Sequence, residues 1–213
     1  MIDPRGKFIT FEGGEGAGKS TQLRLLAEAL RTSGVRVTTT REPGGSTGAE
    51  DIRALLVNGD VARWDGLTEA LLHTAARRDH LVRTVWPALE RGDWVVCDRF
   101  ADSTLAYQGY GHGLPIATLE GLYRIAVGEF APDLTLILDL PVDHGLTRAG
   151  HRGGGEDRYE RMGSAFHERL RQGFLDIARR HPHRCSVIDA TQSPEAVHSA
   201  IMAVVRERLG VIG

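Results

Sequence analysis

The sequence predicts an α/β protein, a five-stranded parallel sheet with helices on both faces, and three observations carry that prediction. Five short apolar runs alternate with stretches of helical periodicity, and such alternation demands crossover connections that set strands parallel. The first run feeds directly into Gly13-Gly14-Glu15-Gly16-Ala17-Gly18-Lys19-Ser20, which fits G-x-x-x-x-G-K-[ST]. Runs end in or beside a charged residue at Glu12, Arg41, Asp98-Arg99 and Asp139, where open parallel sheets bind their ligands. With 41% hydrophobic residues over 213 positions, the chain can bury a substantial core and fits one domain, 1–213.

The elements follow in order. Lys7 to Glu12 is the first strand, and the glycine-rich loop after it leads into a helix starting near Gly18. Gln22, Leu23, Leu25, Leu26, Ala29 and Leu30 give that helix its apolar face, and Gly34 ends it. Val35 to Thr40 is the second strand, and Leu67 through Leu89 carries a longer amphipathic helix. Trp94 to Asp98 is the third strand, followed by a turn-rich stretch from Asp98 to Gly109. Leu134 to Asp139 and Cys185 to Asp189 complete the sheet. Between them, Gly150 to Arg158 has the composition of a lid, spanning approximately 148–160: its glycines prevent a rigid helix, and it offers Arg152 and Arg158.

In the loop, glycines let successive N–H groups turn inward on an anion, Lys19 adds a mobile positive charge, and the following helix aims its positive end at the same point. Ser20 supplies a hydroxyl for Mg²⁺. Lys7 and Lys19 are the only lysines, so arginine supplies nearly all other positive charge. Asp98, at a strand end, suits an acid that holds the Mg²⁺ hydration shell; Asp139 offers the same chemistry, and Arg99 beside Asp98 favours Asp98. Arg99 can clamp phosphate through its planar fork. His73 and Arg77 share one helix face, and Ser103, Thr104, Tyr107 and Gln108 gather polar groups suited to a base and sugar.

A net charge of −2 gives no general attraction to nucleic acid or anionic membrane. No stretch approaches the roughly 20 apolar residues of a membrane span, and the N-terminus lacks a signal-peptide core, so a cytoplasmic protein is expected. Cys97 and Cys185 lack metal spacing and read as reduced, buried thiols; His144, His151 and His167 also lack it and read as surface residues. A GTP-dependent switch would need an Asn-Lys-x-Asp motif, which a chain with lysine only at 7 and 19 cannot contain.

Five segments in order resemble one family. Phe11 to Thr21, Thr40-Arg41-Glu42-Pro43-Gly44-Gly45, Asp98-Arg99-Phe100 with Ser103 and Tyr107-Gln108-Gly109, Pro132 to Leu136, and Asp189-Ala190 are similar to bacterial thymidylate kinases over essentially the whole chain. The resemblance implies a P-loop, nucleoside-monophosphate-kinase-like three-layer fold with a short lid. It implies transfer of the γ-phosphoryl group of ATP to thymidine monophosphate (dTMP), with Mg²⁺, in a homodimer. Gly13 to Thr21, with Lys19 and the loop amides, would hold ATP phosphates, Ser20 and Asp98 the metal, and Arg99 the acceptor phosphate. Glu15 matches a carboxylate near the deoxyribose 3′-hydroxyl, Arg77 and Thr104 match thymine contacts, and Tyr107 crowds the sugar 2′ position. Gly16 stands where one branch of the family carries arginine; this chain resembles the branch with its arginine in the lid, so Arg152 is preferred, ahead of Arg148 and Arg158. Adenine contacts are expected near Asp189-Ala190-Thr191-Gln192. His73 departs from the phenylalanine usual for stacking on thymine, which implies weaker, pH-dependent base binding. The alternative is a phosphate-loop kinase for another nucleotide or small acceptor.

Overall fold

The computed structural model describes residues 5–150 and 158–210. Its sheet has the strand order β2-β3-β1-β4-β5, all parallel: β1 (Phe8–Glu12), β2 (Val37–Arg41), β3 (Trp94–Asp98), β4 (Leu134–Asp139) and β5 (Cys185–Asp189). The central position of β1 places the loop after it at the middle of the sheet's carboxyl edge. Among the helices, α1 (Lys19–Thr32) follows that loop, α2 (Thr47–Val57) follows β2, and α3 (Gly66–His80) continues through a π-helical segment (Leu81–Val85) into α4 (Trp86–Glu90). After β3 come α5 (Ala101–Thr104), a second π-helical segment (Leu105–Gly111) and α6 (Ile116–Val127). α7 (Val142–Gly150), α8 (Ser164–Arg180) and α9 (Pro194–Leu209) follow. No helix among the described residues is long and apolar enough to cross a membrane.

Alternation along the strands divides the core into two layers. Ile9, Phe11, Val96, Leu136 and Leu138 meet Leu26 and Leu30 of α1 and Ile201 and Val205 of α9. On the opposite face Phe8, Val95 and Cys97 pack against Leu81, Val85 and Leu89, while Ile137 meets Phe174 and Ile177 of α8. Cys97 and Cys185 are buried free thiols.

Three expectations change. The second strand starts at Val37 rather than Val35, because Val35 N–H still bonds to Leu30 O (3.0 Å) in the turn that ends α1. The long helix expected from Leu67 to Leu89 widens at Leu81–Val85, just before Pro87, whose nitrogen carries no hydrogen to donate to the preceding turn. The stretch after Asp98 is helical from Ala101 to Gly111 rather than a series of turns. Its N-terminal amides are held from another element: Glu12 Oε1, on β1, accepts from Phe100 N–H (2.8 Å) and Ser103 N–H (3.3 Å).

Candidate active site

Loop, strand end and helix start converge on one point. Gly16 has φ +67, and a Cβ there would overlap the Gly145 carbonyl of α7, so both the curl of the loop and its contact with α7 require glycine. Lys19 is buried and donates to Gly13 O (3.2 Å) and Gly14 O (2.7 Å), and burial with Arg99 nearby pulls its ammonium down to about 8. Thr21 is exposed beside it, and Ala17 is buried in the sheet-facing layer. Ser20 Oγ donates to Asp98 Oδ2 at 2.7 Å. Asp139, the other strand-end acid, is held by both nitrogens of an Arg171 fork (2.7 and 3.1 Å). Ser20 and Asp98 therefore form a pair of hard oxygen donors beside the phosphate loop, the set that suits Mg²⁺.

Arg99 adopts φ +71, unusual for a side-chain-bearing residue, and this turns it back over the loop. Its guanidinium donates to Gly13 O (3.0 Å), Ser103 Oγ (3.1 Å) and Glu15 Oε1 (3.0 Å) and lies over the Tyr107 ring. Tyr107 also donates to Glu15. Burial pushes the Glu15 carboxyl up, but Arg99, Lys19 and Tyr107 outweigh it and hold Glu15 at about 2, a fixed carboxylate among cations. Glu12 is fully buried beneath this layer; burial and Asp102 push it up to about 8. Ser103 Oγ donates to it at 2.5 Å.

Two adjoining cavities share Glu15, Glu42, Arg53 and Arg99. One, of about 190 Å³, is lined by the loop from Glu15 to Ser20 with Arg41 and Asp98. The other, of about 130 Å³, is lined by His73, Arg77, Phe100, Ser103, Thr104, Tyr107, Gln108 and Tyr159. Arg77 is immobilised there, donating to Glu42 Oε2 (2.8 Å), Phe100 O (3.1 Å) and Thr104 Oγ1 (3.0 Å). His73 Nε2 lies 3.2 Å from the Tyr159 hydroxyl, and burial with Arg77 beside it pushes the imidazole down to about 4. His73 is thus neutral at physiological pH, against the expected pH-dependence. Gln108 is fully buried; its Nε2 donates to Glu69 (3.0 Å), and its Oε1 has no partner among the described residues.

The lid candidates separate. Arg152 lies outside the described residues. Arg158 is completely buried, contrary to its reading as an exposed lid residue. It donates to Leu56 O (3.2 Å), Asp60 O (2.8 Å) and Val61 O (2.8 Å) and pairs with buried Glu69, so it ties the end of α2 to α3. Arg148 is exposed and reaches Ala190 O at 3.5 Å. His144 is exposed and His151 is outside the described residues, but His167 is buried, not on the surface, because it opens the inward face of α8 beside Phe166. Asp189 is absorbed in its own turn, accepting from Thr191 N–H (2.9 Å) and Gln192 Nε2 (3.0 Å).

Arg53 was not singled out from sequence, yet it touches both cavities and donates to Pro43 O (2.8 Å). Glu69 was equally silent, while Glu12 was marked only as a strand-end charge and Glu42 only as part of a family-like segment. Each acts through side-chain partners at least 35 residues away in sequence, so no local pattern marks that role.

Comparison with known proteins gives one consistent answer. A family model described as thymidylate kinase matches residues 11–201. A thymidylate kinase of Caulobacter vibrioides is 58% identical over 207 residues, covering 97% of this chain and 99% of the relative. One of Gluconobacter oxydans is 56% identical over 214 residues, covering 98% of each. The chain belongs to the thymidylate kinase family. The crystal structure of the Ehrlichia chaffeensis thymidylate kinase superimposes with a TM-score of 0.77 at 38% identity, covering 95% of this kinase and 100% of that chain. The fold of the kinase is accordingly the P-loop nucleoside-monophosphate-kinase fold.

Proposed function

We propose that the two adjoining cavities hold the two substrates of the family reaction, transfer of the γ-phosphoryl group from ATP to dTMP to give dTDP, with their shared wall at the point of transfer. The observation that carries this reading is Arg99. One guanidinium bonds at once to the phosphate loop and to Glu15, in the wall common to both cavities. A phosphate oxygen of the acceptor is already a nucleophile, so no general base is required. Catalysis is then positioning plus neutralisation of the charge spread over the migrating group.

Lys19 and the loop amides bind the donor phosphates, Arg99 and Arg53 bind the acceptor phosphate, and Glu15 faces the sugar. Ser20 and Asp98 hold Mg²⁺, which supplies charge neutralisation to the phosphates when bound. Arg77, Thr104 and Gln108 read the base, His73 stacks on it, and Tyr107 crowds the sugar. Adenine lies near Asp189 to Gln192. Arg152 is the lid arginine: an arginine at position 16 would collide with Gly145, and Arg158 is committed to backbone carbonyls.

A homodimer is supported by the surface. Leu67, Leu71 and Val82, all exposed, follow one stripe of α3 and its continuation, and Arg78 on that stripe bonds to Ala126 O (3.1 Å), beside Ile125, which is 82% exposed. Both cysteines are free, consistent with a reducing cytoplasm, and no nucleic-acid or membrane partner is invoked.

Lys19→Ala tests the mechanism: kcat falls about 10³-fold or more while circular dichroism is unchanged. Near-normal turnover in a folded variant sinks it. A coupled assay across the monophosphates of thymidine, deoxyuridine, uridine, cytidine, adenosine and guanosine tests the acceptor; a preference for any but thymidine favours the alternative of another small acceptor.

A further inference from the structure

Glu69 does not line the base cavity, yet it is bonded to two residues that do. It is fully buried on α3, and its Oε2 accepts from Gln108 Nε2 (3.0 Å) and from the Tyr159 hydroxyl (3.4 Å). Its other oxygen is paired with buried Arg158, and His112 Nε2 stands 3.5 Å from Oε2. Burial pushes the carboxyl up, but His112 and Arg158 outweigh it and hold it below its ordinary value, so it is a carboxylate. A carboxylate only accepts. The amide of Gln108 must therefore turn its NH₂ toward Glu69, and the atom left over is Oε1, buried and without a partner among the described residues.

We propose that Glu69 is the positioning residue for base selectivity: it fixes the Gln108 amide so that Oε1 meets the base as an acceptor, which a base with a ring N–H satisfies. This rests on the reading above that the base lies against Gln108. Thymine presents an N–H at ring position 3, whereas cytosine presents a lone pair there, which would face the lone pairs of Oε1 and leave both unpaired. A site built around such a bond rejects the analogue that lacks the donor. Tyr159 extends the same control, because the hydroxyl that donates to Glu69 leaves its oxygen to accept from His73 Nε2–H. One carboxylate thus orients both the reading amide and the stacking ring.

Steady-state kinetics and dTMP calorimetry on Glu69→Gln, Gln108→Ala and the double variant, with dTMP and dCMP as acceptors, test this. A neutral amide at 69 lets Gln108 turn over. In Glu69→Gln the KM for dTMP rises about 10-fold, kcat stays within about twofold, and the dTMP-to-dCMP ratio of kcat/KM narrows about 10-fold. In the Gln108→Ala background, Glu69→Gln changes that ratio no further. A purely structural role would lower the melting temperature and affect both acceptors equally, and that outcome overturns the proposal. If Gln108→Ala itself leaves the ratio and dTMP affinity unchanged, the placement of the base is wrong. If Gln108→Ala narrows the ratio and folded Glu69→Gln does not, the placement stands and the role of Glu69 falls. Should Glu69→Gln not fold, Glu69→Asp, which keeps the charge for Arg158 but shortens the reach to Gln108, is the variant read: the ratio narrows or the proposal fails.

Discussion

At neutral pH His73 presents the proposed base cavity with an uncharged imidazole, and the reason lies in what surrounds it. Burial and Arg77 disfavour the imidazolium by more than Glu69 and Glu42 favour it, with Arg99 adding to the penalty. Its value falls from 6.5 to about 4, so the unfolded chain binds more protons at this site between those limits. The contribution of His73 to stability is therefore fully present above pH 6.5 and is lost as pH falls toward 4. Denaturant unfolding of His73→Phe at pH 7 and pH 5 should show a smaller loss on acidification than the parent; an equal loss would mean that His73 titrates normally. Phenylalanine also offers a larger stacking face, and the Tyr159 hydroxyl keeps Glu69 as its acceptor. KM for dTMP should fall about threefold in His73→Phe at neutral pH, the scale of one improved aromatic contact; an unchanged or higher KM rejects the stacking role. The sequence exposed His73 as a departure because a motif surrounds it. It could not expose the partners of Glu69 or Glu12, which are brought close only by the sheet and by the packing of α3 against the helical stretch after β3.

At the scale of elements, the phosphate loop and α7 form one unit. A Cβ on Gly16 would overlap the carbonyl of Gly145, and a Cβ on Gly145 would overlap the carbonyl of Glu15. In sequence Gly16 is one of the loop glycines and the position where one branch of the family carries arginine; in the fold it is a contact that admits only hydrogen, at φ +67. Gly16→Ala would meet the Gly145 backbone and hold a side chain at a left-handed φ, costing about 1–3 kcal/mol from the strained φ alone. A fall in melting temperature of about 5 °C or more is expected, accompanied by a raised KM for ATP. Gly145→Ala should do the same from the other side. Unaltered melting in both variants would show that α7 is not docked on the loop. The helical stretch from Ala101 to Gly111 carries a similar lesson. Its composition reads as turns, and it becomes helix because Glu12 supplies from β1 the acceptors that its first amides need.

Across the whole molecule, the parallel sheet and the strand positions were legible because the strands are apolar runs with charged ends separated by helical periodicity, and three of the five begin and end at the residues the sequence marks. The proposed dimer face was not legible, since an exposed leucine means nothing until the helix face is known. α3 turns Glu69, Ala76, Arg77 and His80 inward and leaves Leu67 and Leu71 at 44% and 50% exposure on the other side. A two-fold dimer across that stripe would use each residue twice. Replacing one leucine by a charge then removes two burials of about 1.5–3 kcal/mol each, enough to weaken association about 10²- to 10⁴-fold. Leu71→Glu should therefore sediment as a single chain of 23.3 kDa at micromolar concentration, where the parent sediments at twice that mass. Val187→Glu, placed on β5 where 47% of the residue is exposed, should stay dimeric. A monomeric parent, or a dimeric Leu71→Glu, removes the stripe as the interface. Because the helix that carries this stripe also carries Arg77 and Glu69 toward the proposed base site, loss of a partner there should loosen that site before the phosphate loop. KM for dTMP should then rise in Leu71→Glu while KM for ATP holds.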